Sequence, residues 1–257
     1  MSATHQLLLV PADTPVHRLA PQCKVAATVL FVLAIAATPA GAYWPYLWYL
    51  LLLTAVAAAA RLPPLTLSRR LLVEVPFLLF MLALPVLDGP PRLTVLGVGL
   101  SIPGLHAAAT IALKATFGLL ASGILAATTP PPEIITGLER LRVPQVFTAV
   151  AAFMVRYTEV LAAELARMRT AAACRGGNPR WLWQVRDVTA GLGALVVRSF
   201  ERGERVYLAM ASRGYTGTLP AALAGAAASR VAWAATLAVP ALAAIGTVLA
   251  AIGTVLW

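Results

Sequence analysis

The sequence predicts an all-α, polytopic membrane protein with about five transmembrane helices and, before the last of them, a charged region of three amphipathic helices. Three observations predict it. Of 257 residues, 60% are hydrophobic and only 12% are charged, roughly half the charged fraction of an ordinary soluble domain. Long uncharged stretches alternate with short basic ones. Eighteen of the twenty basic residues are arginine, and twelve of those lie between Glu133 and Arg213. Such a composition excludes a soluble globular domain and a disordered chain. Two cysteines, Cys23 and Cys174, are too few for a disulfide scaffold. The N-terminus is polar up to Lys24, and no small-x-small site follows the first apolar run, so no cleavable signal peptide is expected.

Residues 1–129 are read as four spans. Lys24 to Arg61 encloses 36 uncharged residues. One crossing needs about 20, so this gap holds two short helices joined by a turn at Thr38-Pro39-Ala40-Gly41. Tyr43, Trp44, Tyr46, Trp48 and Tyr49 follow at once and look like an interfacial aromatic belt. A third span covers Leu71 to Leu87, with Glu74 near the membrane surface, and a loop runs from Asp88 to Arg92. The fourth, about Gly104 to Thr128, is interrupted only by Lys114. Without an acid nearby, that lysine is read as facing the protein interior or snorkelling, in preference to lining a polar path. Residues 217–257 hold the last span, since 27 residues follow Arg230 without another charge.

Residues 130–216 differ. Between Glu133 and Arg213 seven acids accompany the twelve arginines, and no uncharged run is long enough to cross a bilayer. Val146, Val150, Phe153, Tyr157, Leu161, Leu165 and Met168 fall at steps of three and four, which predicts an amphipathic helix rather than a span. From Gln145 to Cys174 it measures about 45 Å. A second runs from about Trp183 to Ser212. A short one, Glu133 to Arg142, lies between Pro130-Pro131-Pro132 and Pro144, with Ile135, Leu138 and Leu141 on one face. With five spans, Arg18, Lys24, Arg61, Arg69, Arg70 and the arginine-rich region all share one side. The positive-inside rule makes that side cytoplasmic, with the N-terminus inside and the C-terminus outside.

Catalytic machinery is not evident, and neither a cofactor nor a metal is expected. There is no Gly-x4-Gly-Lys-Ser/Thr phosphate loop and no His-Glu-x-x-His. His5, His17 and His106 are scattered and read as packed or solvated. Asp13, Asp88 and Asp187 are far apart. Cys23 and Cys174 read as small packed residues facing a reducing compartment.

One pattern repeats. Arg167 to Gly176 and Arg205 to Gly214 both read Arg-x7-Arg-Gly, with small residues before the final arginine, and each closes a long amphipathic helix. Glu164 lies three before Arg167 and Glu201 four before Arg205, which sets acid and base on one face. Arginine in a last turn followed by glycine also caps a helix. Its repetition at matched positions instead suggests two docking points, Arg175-Gly176 and Arg213-Gly214, for carboxylates and carbonyls of a partner protein. The interleaved acids argue against nucleic acid.

These residues resemble the T component of energy-coupling factor (ECF) transporters, the EcfT/CbiQ family. Val16-His17-Arg18-Leu19-Ala20-Pro21-Gln22-Cys23-Lys24 looks like the family's lead into its first span. Pro131-Pro132-Glu133 through Leu141-Arg142-Val143-Pro144 is similar to its first coupling helix. Phe153-Met154-Val155-Arg156-Tyr157 and the stretch from Ser199 to Met210 look like the cobalt-type branch. An Ala-Arg-Gly-like signature falls here on Cys174-Arg175-Gly176 and Ser212-Arg213-Gly214, departing only at the residue before arginine. The resemblance implies a multi-pass subunit of a bacterial plasma membrane, non-catalytic, whose cytoplasmic coupling domain docks two cytoplasmic ABC ATPase subunits by one signature arginine each. It implies an integral-membrane substrate-binding S component as the other partner, importing Co²⁺ or Ni²⁺, or a vitamin. A conventional ABC importer permease is the nearest rival, but would present one coupling helix per chain. A membrane enzyme would need a catalytic cluster, and a membrane scaffold would have no transport role.

The arginine distribution predicts that impermeant thiol reagents reach a cysteine placed at Asp88 from outside and one placed at Asn178 only from inside. External labelling at Asn178 would contradict this topology.

Overall fold

The structure, a computed structural model, describes residues 14–63, 68, 71–81, 85, 92–95, 98–176, 185–217 and 228–255. His5, Asp13, Arg69, Arg70, Asp88 and the end of the third expected span lie outside them. In chain order the elements are α1 (Pro15–Arg18), α2 (Pro21–Ala37), α3 (Trp44–Ala59), a 3₁₀ turn (Leu72–Glu74) leading into α4 (Val75–Met81), β1 (Arg92–Val95), β2 (Val98–Ser101), α5 (Ile102–Thr128), α6 (Pro131–Arg140), α7 (Gln145–Cys174), α8 (Val185–Ala211) and α9 (Arg230–Val255). The protein is all-α apart from the small β1–β2 hairpin. Packing divides it into two units, residues 3–141 with 225–257, and residues 142–224.

Proline sets most helix starts. It occupies a first-turn position in α1, α2, α3, α5 and α6, where its missing N–H has no intrahelical partner to lose. The α2–α3 turn falls at Thr38–Gly41 as expected, with Gly41 at φ +90°, a conformation that glycine adopts without a Cβ penalty. Three described helices are long and apolar enough to cross a membrane: Ile102–Thr128, Gln145–Cys174 and Arg230–Gly253. The third is nearly all of α9. Pro21–Ala37, Trp44–Ala59 and Leu72–Met81 are apolar but shorter. Gln145–Cys174 thus meets the length and composition of a span as well as being amphipathic.

The hairpin, not expected from the sequence, lies between the expected Asp88–Arg92 loop and the fourth span. Arg92 pairs with Ser101 and Val95 with Val98, antiparallel. Two residues between short alternating runs is a hairpin spacing. Ser101 then caps α5, its hydroxyl accepting from the Gly104 N–H at 3.3 Å.

In the first unit α2 packs against α5, α6 and α9, and α3 against α5 and α9. Its core gathers Phe31, Ile35, Tyr46, Tyr49, Leu52, Phe117 and Ile124. Tyr46 stacks on Phe117 at 5.8 Å between centroids, and Tyr49 meets Phe31 edge-on at 6.0 Å. The aromatic belt is therefore split. Tyr43, Trp44 and Trp48 are exposed, while Tyr46 and Tyr49 belong to the core. The Tyr49 hydroxyl sits between Thr38 Oγ1 (2.9 Å) and Thr247 Oγ1 (2.8 Å), joining α2, α3 and α9. Such links replace the hydrogen bonds that lipid cannot offer.

Several polar groups of this unit find partners in the same way, while the Tyr46 hydroxyl, Glu74 Oε2 and His17 Nε2 are buried without one among the described residues. Lys114 Nζ donates to the Ala36 carbonyl at 2.8 Å, so it closes the end of α2. Glu74 is buried, its Oε1 accepting from Thr116 Oγ1 at 2.9 Å. His17 Nδ1 lies 2.7 Å from Thr14 Oγ1, and His106 Nδ1 lies 2.6 Å from the Tyr43 hydroxyl. Lys24 is buried, and Nζ donates to the carbonyls of His17 (3.0 Å) and Thr128 (3.2 Å) and to Thr129 Oγ1 (3.3 Å).

α6 is held on α2 by a close backbone approach. A Cβ at Gly137 would stand 3.1 Å from Gln22 N and Pro21 C. Gly137→Val therefore has to push α6 away and is expected to destabilise the first unit by about 1–3 kcal/mol, read as a lower midpoint in detergent unfolding. Tyr49→Phe removes the shared hydroxyl and is expected to cost about 1 kcal/mol; an unchanged midpoint would show that the Thr38–Thr247 link contributes nothing.

Candidate functional site

The second unit is built on α7 and α8. Phe153, Tyr157 and Leu161 on α7 face Ser199, Arg202, Gly203, Val206 and Met210 on α8 across a cavity of about 240 Å³. The Phe153 and Tyr157 rings lie 6.2 Å apart. The seam follows from helical spacing: three α7 residues at steps of four share one stripe, and Ser199, Arg202 and Val206 do the same on α8. Val146 and Val150 continue the α7 stripe but are exposed, with Phe147 and Met154 beside them. The first two turns of α7 therefore carry an uncovered apolar face.

One acid ties the helices together. Glu164 accepts from Arg167 on its own helix through Oε2 and from Arg198 of α8 through Oε1 at 2.9 Å. Arg167 first, then Arg198, holds the Glu164 carboxyl below the usual carboxylate range. Its pKa is depressed on folding, so the bridge contributes at neutral pH and is lost as pH falls through the lowered value. Arg205 and Glu201 approach only to 3.9 Å, and both are well exposed. A pair of that kind contributes little. Glu164 meets the start of the α8 contact segment at Arg198, and the earlier α7 residues meet its later part, so the helices run antiparallel. Sequence spacing identified Glu164–Arg167 and Glu201–Arg205. It missed Arg198, because nothing local connects residues 34 positions apart.

The two Arg-Gly sequences form similar helix ends. α7 stops at Cys174, with Arg175 as its cap. The Arg175 N–H reaches the Ala172 carbonyl at 3.0 Å and the Gly176 N–H reaches Ala173 at 3.1 Å. α8 stops at Ala211, where Gly214 N–H bonds to the Ala211 carbonyl and Tyr215 N–H to Met210, both at 3.0 Å. These are the paired bonds of a Schellman end. Gly176 has φ +81° and Gly214 φ +84°, so glycine takes the left-handed position and leaves the arginine before it unstrained. Arg175 and Arg213 are exposed, and among the described residues neither guanidinium has a hydrogen bond or ion pair. Because α7 and α8 are antiparallel, the tips leave the seam at opposite ends. Arg175 stands roughly 16 Å along the helix axis beyond the tie at Glu164. Among the described residues no group of three or more His, Cys, Asp or Glu gathers as a metal site.

Several apolar helices, joined by buried hydroxyls, define a multi-pass membrane protein. Residues 12–223 match the CbiQ cobalt transport protein family, and the chain belongs to that family. It is 33% identical over 126 residues to the cobalt transport protein CbiQ of Rhodobacter capsulatus, covering 48% of this chain and 50% of that one. It is 28% identical over 221 residues to the energy-coupling factor transporter transmembrane protein EcfT of Thermanaerovibrio acidaminovorans, covering 81% of each. The EcfT of Heliobacterium modesticaldum is 27% identical over 221 residues, covering 81% of this chain and 82% of that one. The chain thus spans half the length of the Rhodobacter relative and about four fifths of the two EcfT proteins.

Charge placed in the seam should open it. Phe153→Asp or Leu161→Asp is expected to destabilise the α7–α8 pair by about 2 kcal/mol or more, read as faster amide exchange across 145–174 and 185–211. Glu201→Gln on the exposed pair should change exchange hardly at all.

Proposed function

We propose that this protein is the energy-coupling transmembrane subunit of an ECF-type ABC importer. It links ATP hydrolysis by two cytoplasmic ABC ATPase subunits to an integral-membrane S component that binds and imports a micronutrient. The observation that carries this reading is the matched pair of exposed arginines at the ends of α7 and α8, neither of which has a hydrogen bond or ion pair among the described residues. A planar guanidinium donates to carboxylates and carbonyls together, which suits anchoring in a groove of a partner. Two tips at opposite ends of one antiparallel pair suit two ATPases, one per tip. A change in spacing between the ATPases would then pull on both helices at once. Family membership and the relatives named as energy-coupling transmembrane proteins support the same role.

In this reading residues 130–216 lie in the cytoplasm, with the N-terminus inside and the C-terminus outside. The charges of α7, Arg156, Glu159, Glu164, Arg167 and Arg169, favour the cytoplasm over the bilayer for a helix whose length would permit either. The cobalt of the family name favours Co²⁺ or Ni²⁺ as cargo over a vitamin. Selection of the cargo belongs to the S component.

The test is ATPase capture and ATP-dependent uptake by Arg175→Ala, Arg213→Ala and the double variant. Loss of a desolvated charged anchor at an interface centre is typically worth about 2–4 kcal/mol, roughly a 30- to 1000-fold loss of affinity. Each single variant should weaken capture and the double variant should abolish uptake. Arg→Lys should rescue poorly, because an ammonium cannot reproduce the fork. A double variant that binds ATPase and transports like the parent would reduce both arginines to helix caps.

A further inference from the structure

We infer that α6 is the fixed arm of the coupling region, fastened to the membrane helices, and that the moving joint is the backbone at Arg142-Val143, between α6 and α7. This rests on the coupling role proposed above and adds which element moves.

Two observations fix the arm. Gly137 brings the α6 backbone so close to Pro21 and Gln22 that a Cβ there would stand 3.1 Å from two main-chain atoms. With glycine at 137 the two backbones pack directly on one another, with no side chain between them. The start of α6 is held as well. Lys24 Nζ binds the Thr128 carbonyl and Thr129 Oγ1, immediately before the helix. Both ends of the segment from Thr128 to Gly137 are thus tied to the start of α2.

The joint is identified by a contrast between two helix ends. Arg61 and Arg142 are the two described non-glycine residues with positive φ, at +52° and +62°. Each follows the last turn of a helix. At Arg61 the end is secured: Arg61 N–H bonds to the Ala58 carbonyl at 2.9 Å and Leu62 N–H to Ala57 at 3.0 Å. At Arg142 the last such bond is one residue earlier, from Leu141 N–H to the Gly137 carbonyl at 3.1 Å. Neither Arg142 nor Val143 has a backbone hydrogen bond back to α6. A left-handed residue costs energy for any side chain with a Cβ, and here no hydrogen bond holds it in place. Pro144 follows with its φ fixed by the ring and its carbonyl committed to Phe147 N–H at 3.0 Å, so α7 begins rigidly. Rotation is left to Arg142 and Val143. The division of the chain into two packed units falls at the same point, between Leu141 and Arg142. A few residues at an element's end that absorb a backbone change are what a hinge requires.

The experiment measures which joint moves, by paired spin labels in the complex with its ATPases, with and without bound nucleotide. The background carries Cys174→Ser, since that cysteine is exposed while Cys23 is buried. One pair, Val29 and Glu139, reports α2 against α6. The other, Glu139 and Ala163, reports α6 against α7. The expected result is a Val29–Glu139 distance that stays constant and a Glu139–Ala163 distance that shifts by several ångströms with nucleotide. A moving Val29–Glu139 pair with a constant Glu139–Ala163 pair overturns the inference and leaves the coupling role standing. If neither distance responds while the ATPases remain bound and active, the joint and the coupling role fall together.

Discussion

The ammonium of Lys24 is the point on which the packing of this protein turns. A charge in the apolar part of a membrane protein is tolerated only when the protein itself replaces water around it. Lys24 has three protons and three acceptors within reach: the His17 carbonyl, the Thr128 carbonyl and Thr129 Oγ1. None of these lies on α2 itself. One comes from α1 and two from the exit of α5, so satisfying a single charge fixes where three elements meet. The exchange is mutual, because the carbonyl at the end of α5 has no intrahelical donor and would otherwise be an orphan in a buried place. α6 begins two residues after Thr129, and its docking on α2 inherits that geometry.

The two packed units solve the problem of helix pairing with different chemistry. In the first unit, besides the lysine and Glu74 bonds, the links are hydroxyls and an indole: Tyr49 between Thr38 and Thr247, and Trp48 Nε1 donating to the Leu242 carbonyl at 3.0 Å, above the gap left by Gly246. Lipid supplies neither water nor counter-ions, so these groups bond to one another and to main-chain carbonyls. Between α7 and α8 the link is a carboxylate held by two guanidiniums, with an aromatic and aliphatic seam beside it. Such a tie is short-ranged and weak beside a buried core.

Arginine and left-handed backbone recur together at four helix ends, in two different arrangements. At Arg61 and Arg142 the arginine itself occupies the left-handed position. At the tips of α7 and α8 that position is given to Gly176 and Gly214, and the arginine precedes it. The second arrangement frees the side chain from backbone strain and leaves it projecting from a helix end, where partial negative charge on the last carbonyls favours a cation. Only where glycine follows the arginine does the left-handed position fall to a residue without a Cβ.

Much of this was legible in the sequence, because it depends on local periodicity and on the cost of charge in lipid. The gaps between charges located the apolar helices, with the Thr38–Gly41 turn between the first two. The three- and four-residue stripe located α7, and the spacing of Glu164 from Arg167 put both on one face. Arg175-Gly176 and Arg213-Gly214 were visible as helix ends because capping is a local property. What the sequence could not decide was every choice made at a distance. It could not say that Tyr46 and Tyr49 turn into the core while Tyr43 and Trp44 stay outside, since neighbouring aromatics in one run are distinguished only by the helices that pack on them. It gave Lys114 no partner, because the Ala36 carbonyl is a main-chain group that any residue carries. Arg198 as the second holder of Glu164, the three acceptors of Lys24 and the approach of Gly137 to Pro21 all join residues far apart in the chain. Tertiary structure alone determined them, because a buried charge or an orphan carbonyl selects whichever group the fold brings within about 3 Å, and no local pattern records which that is.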